Sequence, residues 1–380
     1  MSVPTNKGFE KRAAGLLRLR LQHRQFDDAL AALREFEGTA TPSYRNADVE
    51  AEDEQGFRFD DDDDDDTGGD AHVQAVMIIG PPGTGKSGLL DDMESRPEYK
   101  SDLGGDDDLR PLIRIDVPDF PSPKEVVREI CAKLHSPAPG KWTRGQVARH
   151  LRELFREVGL RFLLMDEAHV LVEHLTARQV VINARFLKFL LVSCRAPIIL
   201  AGEPPLEELL RHKALERRMQ APIRLGPYVW GTFPEVEEWM GLTGGLAEHL
   251  GFADSALCTD LDLAMRLYLD AGGIVGLLAK RLIEAGRLAH TDGRNDISKS
   301  DFEQAWRRWR GGGSRVAADP LKIAEASAAA AWENPYAAKA ELFQELWTAP
   351  FHPNAQSEAT GRPTRRGSHG PKNANKGFGR

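Results

Sequence analysis

Two short segments carry residue types whose spacing suits phosphate chemistry. The first is Gly80-Pro81-Pro82-Gly83-Thr84-Gly85-Lys86-Ser87, followed by Gly88. It fits the pattern G-x-x-x-x-G-K-[ST] of a loop that wraps phosphates. Its glycines let backbone N–H groups close around an anion with no Cβ in the way, and the start of the next helix adds partial positive charge. At this spacing Lys86 is expected to reach the β- and γ-phosphates of ATP, and Ser87 to ligate Mg2+. The second segment is Phe162-Leu-Leu-Met165 followed by Asp166-Glu167. Four apolar residues predict a buried strand, and the two acids fall at its carboxyl end, where open α/β sheets bind ligands. Asp166 is expected in the Mg2+ sphere, and Glu167 is expected to orient and polarise an attacking water. The alternative role for Glu167 is an N-cap of the next helix.

Both segments need a sheet to hold them, and the surrounding pattern supplies one. Short apolar runs at Val73–Ile79, Leu112–Val117, Arg161–Met165, Pro197–Leu200 and Ile223–Leu225 alternate with helical patterns at Pro123–Leu134, Thr143–Val158 and Arg178–Cys194. That alternation predicts βαβ units and a parallel sheet covered on both faces. Residues 232–309 show helical patterning without strand runs and predict three or four helices, including Leu261–Leu269, Ile274–Ala289 and Ser300–Trp309. The tryptophans of the last helix, Trp306 and Trp309, are expected to be buried. Ahead of the sheet, residues 8–36 read as one amphipathic helix, with Leu16, Leu19, Leu30 and Leu33 at helical spacings. Residues 37–72 lose apolar content and include seven consecutive Asp, which predicts a disordered acidic linker. An Ala-rich helix from about Leu321 to Leu346 and a basic disordered tail are expected at the end. The expected organisation is therefore 1–36 N-terminal helix, 37–72 acidic linker, 73–230 nucleotide-binding domain, 231–310 helical lid, and 311–380 Ala-rich helix and tail.

Composition bounds the function classes. The chain has 380 residues, of which 41% are hydrophobic and 28% charged, and its mean hydropathy is −0.42. No apolar run reaches the ~18 residues of a membrane helix, and Met1 to Leu21 lacks the apolar stretch of a secretory signal. Three cysteines about 60 residues apart argue against a disulfide framework or a zinc site. A cytoplasmic protein with no membrane partner is expected. The net charge of −8 conceals strong local differences. Twelve acids against Arg58 give residues 50–70 a charge of −11, and six cations against Glu358 give residues 350–380 a charge of +5. Without residues 50–70 the chain carries +3, which leaves nucleic acid open as a partner.

With these elements placed, the chain resembles an AAA+ ATPase. The loop "GPPGTGKS", the strand end "LLMDEAH" and the helical region after the sheet carry the likeness. The letters "DEAH" also occur in RNA helicases, but no second RecA-like domain follows. Further segments resemble the TniB/TnsC group of transposon-encoded ATP-binding proteins, over about Val73 to Arg310. They are "VPDFPSPKEVVREICAKLHSP", "FLKFLLVSCRAPIILAG", "LERRMQAPIRL", the link Tyr228-Val-Trp230, and "AGGIVGLLAKRLIEA".

The resemblance implies an AAA+ P-loop NTPase: a parallel β-sheet flanked by helices, then a small all-helical lid domain. It implies ATP and Mg2+ as ligands. It places an arginine finger at Arg218, with Arg217 as runner-up, reaching a neighbouring subunit's γ-phosphate. It sets Glu203 where such ATPases carry a small polar residue near the γ-phosphate, an acid that could meet an arginine across the interface or weaken hydrolysis. It sets Gly276 where many carry a second sensing arginine, with Lys280 or Arg281 one turn on as substitutes. Slow hydrolysis would be consistent with both departures. The implied partners are duplex DNA bound largely without sequence preference, a transposase, a target-selection protein, and further copies of the chain in a ring or filament. Lys124, Arg128 and Lys133 on one helix, with Lys141 and Arg144 after it, are the candidate phosphate contacts. Two other readings stand beside this one: a nucleotide-gated scaffold with little hydrolysis, and an initiator-, clamp-loader- or secretion-like AAA+ ATPase.

Overall fold

The structure, a computed structural model, describes residues 6–16, 24–40, 74–101, 109–119, 121–138, 140–230, 233–252 and 260–309. Residues 41–72 of the expected acidic linker, and the Ala-rich helix and tail expected over 311–380, lie outside these. Five parallel strands form the sheet: β1 (Ala75–Ile79), β2 (Leu112–Asp116), β3 (Phe162–Asp166), β4 (Ile198–Gly202) and β5 (Ile223–Arg224). Their order is β2-β3-β4-β1-β5. The strands are those the apolar runs predict, with ends shifted by one or two residues.

Alternation along the strands builds two cores. Met77, Ile79, Ile113, Ile115, Leu163, Met165, Ile198 and Leu200 point to one face. Val76, Ile78, Phe162, Leu164, Ile199 and Ala201 point to the other. Because both faces are buried, the strands read as continuous apolar runs. The first face is covered by α4 (Pro123–Lys133), α5 (Arg144–Glu157) and α6 (Ala177–Val192). Their starts are written in the sequence: Ser122 caps α4 ahead of Pro123, and Thr143 with Gln146 and Thr176 with Gln179 form capping boxes on α5 and α6. The second face is covered by α3 (Lys86–Ser95) and by α2 (Arg24–Thr39), which comes from the N-terminal segment.

Of the single helix expected over 8–36, residues 17–23 lie outside the described residues. On either side stand two helices, α1 (Asn6–Leu16) and α2. Their apolar faces have different partners. In α2, Phe26, Ala29, Leu30, Leu33 and Phe36 are buried against the sheet. In α1, Phe9 and Ala13 are buried in the helical domain, where Phe9 packs edge-on to Phe252 at 6.0 Å. Glu10 pairs with Arg287 at 2.9 Å, and Arg12 Nε donates to Leu250 O at 3.0 Å.

After a four-residue helix, α7 (Lys213–Glu216), and β5, the chain passes into four helices among the described residues. They are α8 (Phe233–Leu250), α9 (Leu261–Ala271), α10 (Val275–Thr291) and α11 (Lys299–Trp309). The link is anchored by aromatic packing. Tyr228 and Trp230 are buried beside Trp239 and Tyr268, with ring centroids 5.2–5.6 Å apart. Tyr268 donates its hydroxyl to Tyr228 O at 2.9 Å, and Trp239 Nε1 donates to Ala264 O at 3.1 Å. Trp306 is half-buried against this core, and the side chain of Trp309 lies outside the described set. No helix among the described residues is long and apolar enough to cross a membrane.

Candidate functional site

The C-terminal ends of β1, β3 and β4 are adjacent in the sheet and carry the polar residues that the apolar runs predicted. The loop after β1 leads straight into α3, whose N-cap Gly85 has φ +104. Lys86 opens α3 and is buried. Its Nζ donates to Gly80 O at 2.7 Å and Pro81 O at 3.1 Å, so the ammonium folds back over the loop. Burial pulls Lys86 below its ordinary value, and the carboxylates of Glu203, Glu167 and Asp166 pull it upward. Thr84 is buried, its hydroxyl donating to Pro81 O at 2.9 Å, whereas Pro82, Gly83, Ser87 and Gly88 are exposed.

Asp166 ends β3 with a buried carboxylate, and the backbone N–H of Glu167 donates to its Oδ1 at 2.9 Å. Glu167 adopts φ +53 at the start of a 3₁₀ turn over Ala168–Leu171 and makes no side-chain capping bond. It therefore occupies the N-cap position without acting as a cap. Its carboxylate is 57% exposed, and the left-handed backbone of a non-glycine residue is a strain that proteins keep where geometry matters. Glu203 follows β4 directly. Because Gly202 pairs with Ile79 and accepts from Gly80 N at 3.2 Å, Glu203 stands beside the loop.

One partner of this cluster was missed in the sequence. Arg114, in the middle of β2, donates to Asp166 Oδ2 at 2.5 Å and to Asp91 Oδ1 of α3 at 2.7 Å, with Glu94 at 3.3 Å. It ties the helix after the loop to the acid at the end of β3. The signal was present: a cation interrupting the otherwise apolar run Leu112-Ile113-Arg114-Ile115.

The lid closes over the loop by backbone contact. Gly276 N donates to Gly83 O at 2.8 Å, and a Cβ on Gly276 would come within 2.9 Å of Gly83 Cα. Of the two cations one turn on, Arg281 is buried with its Nε 2.9 Å from Asp270 Oδ2 inside the lid. Lys280 instead lines a cavity of about 450 Å³ with Glu10, Arg287 and Arg308. Arg217 and Arg218 sit at the other end of β1. Arg218 O accepts from Ala75 N at 2.8 Å, so these arginines lie a full strand away from the chain's own loop.

The donors suit Mg2+. Among the described residues no three His, Cys, Asp or Glu side chains form a metal cage. The available pair is the exposed Ser87 hydroxyl and the Asp166 carboxylate, hard oxygens of the kind Mg2+ takes together with substrate phosphates.

A parallel sheet ordered β2-β3-β4-β1-β5, with a phosphate loop after β1, an acid pair after β3 and a helical lid, defines the AAA+ ATPase fold and a nucleotide-binding protein. Residues 66–226 match the family model described as bacterial TniB protein. Over this segment, about two fifths of the chain, the sequence is similar to TniB proteins. A search of curated proteins finds no match. Similar solved structures include Cdc6p of Pyrobaculum aerophilum, 18% identical with a TM-score of 0.42, covering 61% of this chain and 59% of that one. The ORC2 protein of Aeropyrum pernix, in ADPNP–ADP complexes, is 15% identical with a TM-score of 0.45 over 67% of this chain and 66% of that one. The Aeropyrum pernix ORC1 protein in complex with DNA is 16% identical with a TM-score of 0.48, over 78% and 69%. The chain thus spans about three fifths to two thirds of the length of these structures.

Proposed function

We propose that the chain binds Mg2+-ATP at the loop Gly80–Gly88, hydrolyses it through Glu167, and uses the nucleotide to assemble copies of itself on duplex DNA. There it would link a target-selection protein to a transposase in the cytoplasm. The observation that carries the nucleotide chemistry is the gathering of Lys86, Asp166, Glu167 and Glu203 at three adjacent strand ends. In this reading Lys86 exchanges its two loop carbonyls for β- and γ-phosphate oxygens. Ser87 and Asp166 hold the Mg2+, which when bound neutralises charge on the phosphates. Glu167 polarises water, and Arg218, or Arg217 as runner-up, serves a neighbouring subunit. Lys124 and Arg128, exposed on one side of α4, and the exposed Lys133 and Lys141 suit phosphate contacts without base readout. The transposase link rests on the TniB resemblance alone.

The test pairs two variants on the full chain. Lys86→Ala is expected to abolish binding of a fluorescent ATP analogue. Glu167→Gln is expected to bind it normally, lose phosphate release and accumulate ATP-loaded oligomers. Turnover by Glu167→Gln at the wild-type rate removes Glu167 from the mechanism. Glu203 beside the loop and Gly276 in the lid favour a second reading, a nucleotide-gated scaffold with little hydrolysis. Robust phosphate release stimulated by duplex DNA rules that out.

A further inference from the structure

His169 lies on the 3₁₀ turn that follows Glu167 and is 9% exposed. Two carboxylates face its ring. Glu167 Oε2 is 3.3 Å from Nδ1, and Glu173 Oε2 is 3.3 Å from Nε2. Yet Nδ1 is buried and makes no hydrogen bond in this structure. Buried polar atoms almost always have a partner, so an orphan beside a functional carboxylate calls for an explanation.

The backbone around the ring is pinned. Glu167 is held at φ +53 with its N–H on Asp166 Oδ1. His169 N lies so close to the end of β4 that a Cβ on Gly202 would come within 2.7 Å of it. Glu173 N donates to His169 O at 2.9 Å. The turn is fixed, while the exposed Glu167 side chain keeps its rotamers. A short swing of that carboxylate would complete the bond that Nδ1 lacks.

We propose that His169 is the positioning residue for Glu167. Its buried Nδ1–H takes Glu167 Oε2 as acceptor and leaves Oε1 to the attacking water. This rests on the reading that Glu167 acts on water. A neutral imidazole has one N–H and one bare nitrogen. With the proton on Nδ1 the ring serves Glu167; with it on Nε2 the ring serves Glu173 and presents a lone pair to Glu167. While the ring is neutral, the two glutamates compete for one proton, and Glu173 then sets how often Glu167 is held. Holding matters because a reacting group misplaced by 1 Å loses about a hundredfold in rate.

The experiment measures phosphate release and nucleotide affinity of the full chain with duplex DNA. His169→Ala is expected to lower kcat by about ten- to a hundredfold, with KM and nucleotide affinity unchanged. His169→Asn, whose amide N–H stands near the position of Nδ1, is expected to recover part of the loss. His169→Gln, whose amide stands near Nε2, is expected to recover none. Glu173→Gln removes the charged acceptor at Nε2, weakens the competing claim on the ring proton and is expected to keep or raise kcat. It alters a half-exposed residue, so it remains informative if His169→Ala does not fold. Wild-type kcat in His169→Ala, or a fall in Glu173→Gln matching that of His169→Ala, overturns the proposal. If Glu167→Gln is inactive while the His169 variants keep kcat, only the positioning role fails. If Glu167→Gln turns over normally, or the wild-type chain shows no turnover, the hydrolysis reading falls and takes the proposal with it.

Discussion

At Gly276 the absence of a side chain is dictated by distance. Its N–H bonds to Gly83 O, and a Cβ would press on the backbone of Gly83, which has no flexible end to move aside. Gly276→Ala is therefore expected to push the lid off the loop. Overpacking typically costs about 1–3 kcal/mol, and 1.4 kcal/mol is about tenfold in affinity, so nucleotide binding is expected to weaken about tenfold or more. A fluorescent-nucleotide titration checks it, and unchanged affinity would separate the lid from the loop. A second residue-scale case is Asp301, which accepts from the backbone N–H and hydroxyl of Ser298 at the start of α11 and pairs with Arg294 at 2.5 Å. Burial raises its carboxyl, and Arg294 with Ser298 more than offsets this, so the group lies below its ordinary value. A depressed acid stabilises the fold above its unfolded value of about 3.9 and loses that contribution as pH falls through the lower folded value. Asp301→Asn is expected to cost about 1–2 kcal/mol at neutral pH, discounted for the part-exposed Arg294. The difference from wild type should disappear in strong acid. Melting curves at several pH values test this, and a pH-independent difference would deny the ion pair its role.

The elements divide into those readable from one stretch of chain and those that need a partner. β1 and its loop were legible because a buried parallel strand is an apolar run and the glycines that follow it have one physical use. The helical patterns behind α5 and α6 were legible for the same local reason. The Arg114–Asp166 tie was not, because it joins residues 52 apart through sheet register, and neither residue names the other. That α1 and α2 bury their faces in different bodies was hidden because helical spacing persists through residues 8–36, while those bodies are distant in sequence. Phe9→Ala tests that division. Truncating a buried Phe costs about 3–5 kcal/mol, more than an 11-residue helix held on one face can lose. In hydrogen exchange α1 is expected to lose its protection while α2, packed on the sheet through Leu33 and Phe36, keeps its own. Loss in both helices would show one cooperative unit where the cores indicate two.

At the scale of the whole molecule, the decisive feature is that the phosphate loop and the Arg217–Arg218 pair lie at opposite ends of β1. Five residues at about 3.3 Å each separate them by roughly 16 Å, and Arg218 O is bonded to Ala75 N at the far end. No rotamer of Arg218 spans that gap, so if it acts on a nucleotide, the nucleotide belongs to another copy. Head-to-tail contacts of this kind generate rings or filaments, which is the assembly proposed here. Complementation makes the argument quantitative. Lys86→Ala lacks a working loop, and Arg218→Ala lacks the finger, so each alone should be inactive. In a one-to-one mixture about a quarter of head-to-tail interfaces join the intact loop of one variant to the intact finger of the other. Phosphate release should then return in the mixture and rise with protein concentration. Full turnover by Arg218→Ala alone would move the role to Arg217, and the same mixing with Arg217→Ala would test that residue. A mixture as inactive as its components would mean that neither arginine completes a neighbour's site, and that nucleotide-driven assembly must use another surface.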